Sequence, residues 1–230
     1  MRWMMFGALL VLSGGLGCGG ASPAASSGEG ATAPPPPAEI KTYAIEDLPA
    51  VDDRPYPALD EGRIQFAMPT GWEPLRPSQK YLFACGPKDN MTNLPRITIS
   101  ASDTPADSKA STTAKYAQTL AGKLQTSLIN ANKKPIESCK PIILGENVWI
   151  RHVRKVGLLD GPTAVQSLQT IKGGRIISIE LSVPAQDNPG DAQKPINYEK
   201  ELLAHRDIAY SLAAHMKFPK DKPAAAKEKK

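Results

Sequence analysis

Polar and apolar residues begin to alternate at Arg63-Ile64-Gln65-Phe66-Ala67-Met68, the period-two pattern of a half-buried strand. Pro69-Thr70-Gly71-Trp72 follows as a turn, because Pro fixes φ and Gly admits a positive one. Residues 81–85 and 96–101 predict two more strands, with Ile97 and Ile99 sharing a face. Over residues 112–130 the pattern changes. Ala117, Leu120, Ala121, Leu124 and Leu128 recur at three and four residues and make one stripe of a helix, with Ser111 placed to cap it. Alternation returns in residues 141–144, 148–156, 163–171 and 175–183. Lys172-Gly173-Gly174-Arg175 joins the last two as a tight primed hairpin, since both glycines can take positive φ. Residues 184–195 carry Pro, Asp, Asn and Gly and predict a loop. A second helix spans residues 197–216, with Tyr198, Leu202, His205, Ala209, Leu212 and Met216 on one stripe.

This order of elements predicts an α+β fold, a single antiparallel β-sheet with two main α-helices packed on it. The folded domain covers residues 61–218. Before it, residues 39–60 are an extended lead-in with Pro49, Pro55 and Pro57; after it, residues 219–230 form a disordered basic tail.

The N-terminus has a different character. Arg2 precedes an apolar stretch from Met4 to Leu12, too short for a permanent membrane-spanning helix, which needs about 20 apolar residues. Residues 1–17 therefore predict a signal peptide. Its end, Gly15-Leu16-Gly17-Cys18, resembles a bacterial lipoprotein lipobox, matching in the small residue before Cys and departing in Gly15 and Leu16. The resemblance implies a diacylglycerol on Cys18, which would become the first residue of the mature chain. Two or three acyl chains suffice for a stable anchor. The competing reading is soluble export with cleavage after Gly19-Gly20-Ala21. Residues 18–38 read as a flexible Gly/Ala/Ser/Pro-rich tether, stiffened at Pro34 to Pro37, of the kind an anchored domain needs. Under the lipoprotein reading the domain faces the periplasm. Gly19 stands where an inner-membrane retention Asp would be, which favours the outer membrane.

The 230 residues carry a net charge of +5. With Arg2 set aside, and the six lysines from Lys217 onward together with Asp221 and Glu228, acidic and basic residues balance. The excess thus belongs to the tail, and nucleic acid is not an expected partner. The chain is expected to be a monomer. If Cys18 is acylated, Cys85 and Cys139 remain. In an oxidising compartment two cysteines usually pair, so a Cys85–Cys139 disulfide is expected, with two half-buried thiols as the alternative.

The IQFAMPTGW segment, the long helix after short strands, the hairpin series and a closing helix ending at Met216-Lys217-Phe218 resemble the PsbP-like fold. That family includes an extrinsic photosystem II subunit, small bacterial lipoproteins and a nuclear-import factor. The resemblance implies a binding or assembly role and supplies no catalytic set.

The search for chemistry agrees. No H-E-x-x-H, P-loop, G-x-G-x-x-G or G-x-S-x-G motif is present. His205 lies on an apolar helix stripe as a core or boundary residue. Arg151, Arg154 and Lys155 pose two alternatives, an anion-binding patch or a solvated strand face. Asp103, Asp107 and Asp160 sit beside turn formers, and Trp72 and Trp149 are expected to seal the core. No catalytic residue, cofactor or metal ligand is assigned. The expected function is a lipid-anchored binding or assembly module rather than an enzyme, its membrane contact made through Cys18 and its protein partner open. The alternative is a carrier of a small hydrophobic ligand between sheet and helices.

Overall fold

The structure, a computed structural model, describes residues 39–88, 94–104, 111–158, 161–188, 190 and 196–219. The predicted signal peptide, Cys18 with the tether 18–38, Asp107, Asp160 and residues 220–230 of the tail lie outside the described residues.

In chain order the elements are β1 (Lys41–Tyr43), β2 (Val51–Pro55), β3 (Ala67–Pro69), β4 (Trp72–Pro74), β5 (Phe83–Pro87), β6 (Arg96–Asp103), α1 (Ala117–Asn130), β7 (Glu137–Leu144), β8 (Asn147–Leu158), β9 (Gly161–Lys172), β10 (Arg175–Pro184), β11 (Gln186–Asp187), β12 (Ile196–Asn197) and α2 (Glu199–Ala214). Eight strands form one sheet in the order β1-β7-β8-β9-β10-β6-β5-β4. Two further pairs, β2 with β3 and β11 with β12, stand apart from it.

The α+β class and the two helices agree with the sequence pattern. The single antiparallel sheet does not: the main sheet is mixed, because β1 runs parallel to β7, Lys41 beside Ile142. The predicted lead-in thus supplies an edge strand, and β2 from the same segment pairs with β3. Parallel pairing joins segments distant in the chain, which local alternation cannot register.

Alternation does decide the two faces. Trp149 and Val153 of β8, Leu168 of β9, Ile179 and Leu181 of β10, and Ile97 and Ile99 of β6 point to one side and pack with Leu202, Ala209 and Leu212 of α2. Their neighbours point to the other side, where Ala117 and Ala121 of α1 cover Val148 and Ile150. The β9–β10 hairpin is built as expected, with φ of 53° at Gly173 and 73° at Gly174.

Two local expectations fail. Ser111 does not cap α1. Its hydroxyl donates to the carbonyl of Ile171, and the adjacent Thr112 hydroxyl accepts from the Ile171 N–H at 2.8 Å, so this segment is fastened to β9 while the helix begins after a short 3-10 turn. The disulfide is also absent: Cys85 and Cys139 are both free thiols. Cys85 lies on β5 and Cys139 on β7, with β6, β10, β9 and β8 between them. Successive strands about 4.8 Å apart put the two cysteines on the order of 24 Å from each other. A bridge needs Cα atoms within about 7 Å. The two also face opposite ways, Cys85 in the α2-side core and Cys139 against α1.

Candidate functional site

The three cations read as a patch are separated by the pleat of β8. Arg151 points to the α2 side, where its Nη1 lies 2.6 Å from Glu137 Oε2 and its Nε donates to Gln166 Oε1 at 2.8 Å. Arg154 points to the opposite side and donates to Glu180 at 2.9 Å. Lys155, again on the α2 side, meets Asp187 at 2.7 Å. Each cation thus has its own carboxylate, and no common patch forms.

On the α2 side the pairing is extended. Glu137 Oε1 accepts from the Tyr198 hydroxyl at 3.0 Å. Burial pushes the Glu137 carboxyl up, but the Arg151 hydrogen bond and charge, with Tyr198, outweigh it and hold the group below its ordinary range. Burial, followed by the same carboxylate, pushes the Tyr198 phenol up. The network fastens the bulged start of β7 to β8, β9 and the entry of α2, which is a structural task.

The remaining residues singled out in the sequence are also placed. Trp149 is fully buried and Trp72 nearly so. His205 is half-buried at the edge of the core, its ring 6.3 Å from that of Trp72. Asp103 pairs with Arg175. Burial raises the thiol pKa of Cys85 to about 12 and that of Cys139 to about 11, so neither is a thiolate at neutral pH. No group of three or more His, Cys, Asp or Glu among the described residues could hold a metal ion. Among those residues no helix is long and apolar enough to cross a membrane.

What the sequence did not single out is a recess at the hairpin end of the sheet, about 290 Å³ in volume. Its floor is Ile64, Ile177 and Phe218, and its rim is Asp60, Arg63, Lys172 and Arg175. Asp60, Glu61 and Gly62 form a turn with φ of 51°, 58° and 91°. Positive φ at two non-glycine residues is strained backbone, tolerated where the surroundings hold it. Here the holder is Arg175, whose Nε and Nη2 donate to the two Asp60 oxygens at 3.0 and 2.7 Å while Nη1 donates to Asp103. The Asp103 hydrogen bond, with Asp60 and against burial, pushes the Arg175 guanidinium further up. Arg175 is therefore a fastener with its donors engaged. Lys172 differs. Its Nζ stands 5.9 Å from the Phe218 ring centroid, and it has no carboxylate partner among the described residues. Arg63 lies 3.7 Å from the exposed Glu61 carboxylate. Backbone bonds between Gln65 and Lys217, at 2.8 and 3.0 Å, hold the segment carrying Phe218 against the Arg63–Ile64 segment. An apolar floor under a cationic rim suits a small amphipathic anion. The signal for it lay in the hairpin Lys172-Gly173-Gly174-Arg175, but Asp60 and Phe218 join it only through the fold.

A wider surface depression, about 590 Å³, is lined by Pro184, Gln186, Tyr198 and Glu201 among others at the start of α2. The Tyr198 hydroxyl there is already committed to Glu137.

No protein-family model matches the chain, and no curated protein matches it. Among solved structures, a protein of Bacteroides thetaiotaomicron is similar over 74% of this chain at 13% identity and a TM-score of 0.43; the chain spans only 50% of that protein. Cyanobacterial PsbP (CyanoP) of Synechocystis is similar over 72% of this chain and 91% of its own, at 14% identity and a TM-score of 0.43. The Ran-binding protein Mog1p of Saccharomyces cerevisiae is similar over 74% of this chain and 96% of its own, at 10% identity and a TM-score of 0.41. None of these likenesses assigns a partner or an activity to this chain.

Proposed function

We propose that this chain is a lipid-anchored, exported protein of the cell envelope whose PsbP-like α+β domain is a binding module, with the hairpin-end recess as its ligand site. The observation that carries the binding role is Lys172, a cation without a carboxylate partner among the described residues, poised over the Phe218 ring beside the apolar Ile64 and Ile177. The anchor rests on Gly17-Cys18 and the tether composition that follows. A domain held by acyl chains at one end of a flexible segment samples a membrane-proximal volume at high effective concentration. The carrier alternative needs room between sheet and helix, and on the α2 side that space is filled by Trp149, Tyr210, Leu212 and Met216, all buried.

The anchor is tested by metabolic labelling with radioactive palmitate. Label should enter the full chain, fractionate with membranes, and vanish in Cys18→Ser; a label-free protein in the soluble fraction of broken cells rejects it. The recess is tested with 8-anilinonaphthalene-1-sulfonate, an apolar ring system bearing one anion. Saturable fluorescence enhancement that is weakened about ten-fold in Lys172→Glu, a charge reversal beside a bound anion, is expected. Enhancement indifferent to that substitution removes the recess from consideration.

A further inference from the structure

Two adjacent non-glycine residues with left-handed backbone stand at the hairpin-end recess. Asp60 and Glu61 have φ of 51° and 58°, and Gly62 follows at 91°. With ψ of 31° at Glu61, and a bond from the Arg63 N–H to the Asp60 carbonyl at 3.1 Å, residues 60–63 form a type I′ turn. Its first central position favours Asn, Asp or Gly, and Glu61 fills it at a cost that glycine avoids. Asp60 adds a second left-handed residue. The base of this turn is fixed separately, because Leu59 and Ile64 exchange backbone bonds at 2.9 and 3.2 Å. The tip has room around it: a Cβ added at Gly62 would meet no atom within 4 Å.

Arg175 ties the tip down. Its Nε and Nη2 hold both Asp60 oxygens, and the two side chains are only 17% and 11% exposed. Register sets Arg175 directly opposite Lys172 across the β9–β10 hairpin. Side chains directly opposite in a ladder lie about 5 Å apart at Cβ, and both of these line the recess. An anion drawn to Lys172 therefore arrives beside the guanidinium that Asp60 occupies. Asp103 already holds Nη1. Arg175 would then face three anionic groups, and like charges crowded at one cation repel. Giving up Asp103, which is 83% exposed, relaxes no backbone. Giving up Asp60 frees a strained turn.

We infer that Asp60 and Arg175 form a latch that an anion bound in the recess opens, letting the strained turn at residues 60–63 relax. The inference rests on the recess being the ligand site. Strain held in the closed latch is released on binding and so adds to affinity. By reciprocity, a turn that is already open binds the anion more tightly. Only the tip moves, since the Leu59–Ile64 pair keeps its base in place. That tip carries Glu61, whose side chain is 86% exposed, so an occupied recess presents a different surface from an empty one.

The test uses the full chain with 8-anilinonaphthalene-1-sulfonate as the anion. Glu61→Gly places glycine at the left-handed position. It should raise the melting temperature yet weaken dye binding about five-fold, because the closed latch no longer holds that strain. A variant that merely loosens the fold would lose stability and affinity together. Glu61→Gln removes the same carboxylate and keeps the strain, so it should bind as wild type does or slightly tighter. In NMR spectra the amide signals of residues 60–62 and the Arg175 Nε–H signal should move saturably, with the midpoint of the dye titration. Suppose dye binding depends on Lys172, but Glu61→Gly keeps wild-type affinity or the turn signals stay unmoved. The latch is then overturned and the recess stands. A Glu61→Gly protein no more stable than wild type denies the strain, and the latch with it. A chain that binds no dye, or binds it independently of Lys172, overturns both the recess and the latch.

Discussion

The strand β8 presents arginine to both faces of the sheet, and the two faces treat it differently. Towards α2, Arg151 bonds Glu137 and Gln166 and, through Glu137, meets Tyr198, while the Gln166 amide nitrogen and the Trp149 indole nitrogen on this side have no partner. On the other face Arg154 meets Glu180, and Arg96, which opens β6, makes no ion pair among the described residues. Arg151 is the more buried of the two arginines, so the protein itself must supply most of its partners. Arg154 is more exposed, although His152, Val165, Ser167 and Ser182 on its face are buried. The more buried cation is held by several partners, and the more exposed one by a single carboxylate.

The largest effect should come from opening the closed side. Arg151→Gln strands the Glu137 carboxylate and the Gln166 carbonyl, and removing one member of a buried pair costs about 3–4 kcal/mol at the low end, given that Glu137 is partly solvated. Urea unfolding measures it; a loss below about 1 kcal/mol makes Arg151 no more structural than a surface cation.

Next comes the acid response of the face away from α2. Burial, and then the Arg154 charge, push the His152 imidazole down to about 4, with Glu180 opposing. The unfolded imidazole takes up a proton near pH 6.5, the folded one only near 4, so between these values the unfolded state binds more protons and stability falls as pH falls. The full loss is about 3 kcal/mol by linkage, complete below about pH 4. His152→Gln should flatten the stability profile between pH 6.5 and 4. An unaltered slope in that variant assigns the acid response to other groups.

A smaller effect marks the closed face at lower pH. The Glu137 carboxyl titrates below its ordinary range, so its contribution is present above the unfolded value of about 4.3 and fades as pH falls through the folded one. Because Glu137 is partly exposed, solvent screening holds this to about 1 kcal/mol. The stability difference between wild type and Glu137→Gln should therefore shrink under acid, in a window below that of His152. A difference that stays constant to pH 2 denies the ion pair its role.

Much of the scaffold was legible because local periodicity carries it. Ile97 and Ile99, the stripe Leu202–Ala209–Leu212 and the Gly173–Gly174 turn lie where spacing put them. What failed was whatever depends on strand order. Cys85 and Cys139 looked like partners until four strands came between them. Lys41 to Tyr43 carried no strand pattern of their own and gained one by lying along β7. The patch Arg151–Arg154–Lys155 was half legible: a period of two already sends residues 151 and 154 to opposite faces, but their carboxylates, Glu137 and Glu180, come from other strands. The recess was hidden for the same reason, since Asp60 and Arg175 are neighbours only in the assembled fold.

The smallest expected effect separates the two faces most sharply. Arg96→Gln removes a charge that has no ion pair among the described residues, and it shortens a side chain whose Nε–H has no acceptor. Nothing bonded is lost. The change in unfolding free energy should lie within about 0.5 kcal/mol of zero, as for substitutions away from any paired feature, or be slightly stabilising. Arg151→Gln, the same exchange three strands away and facing α2, should cost several times more. If Arg96→Gln destabilises as strongly as Arg151→Gln, Arg96 is closed by contacts within the chain. The contrast between the two arginines then collapses.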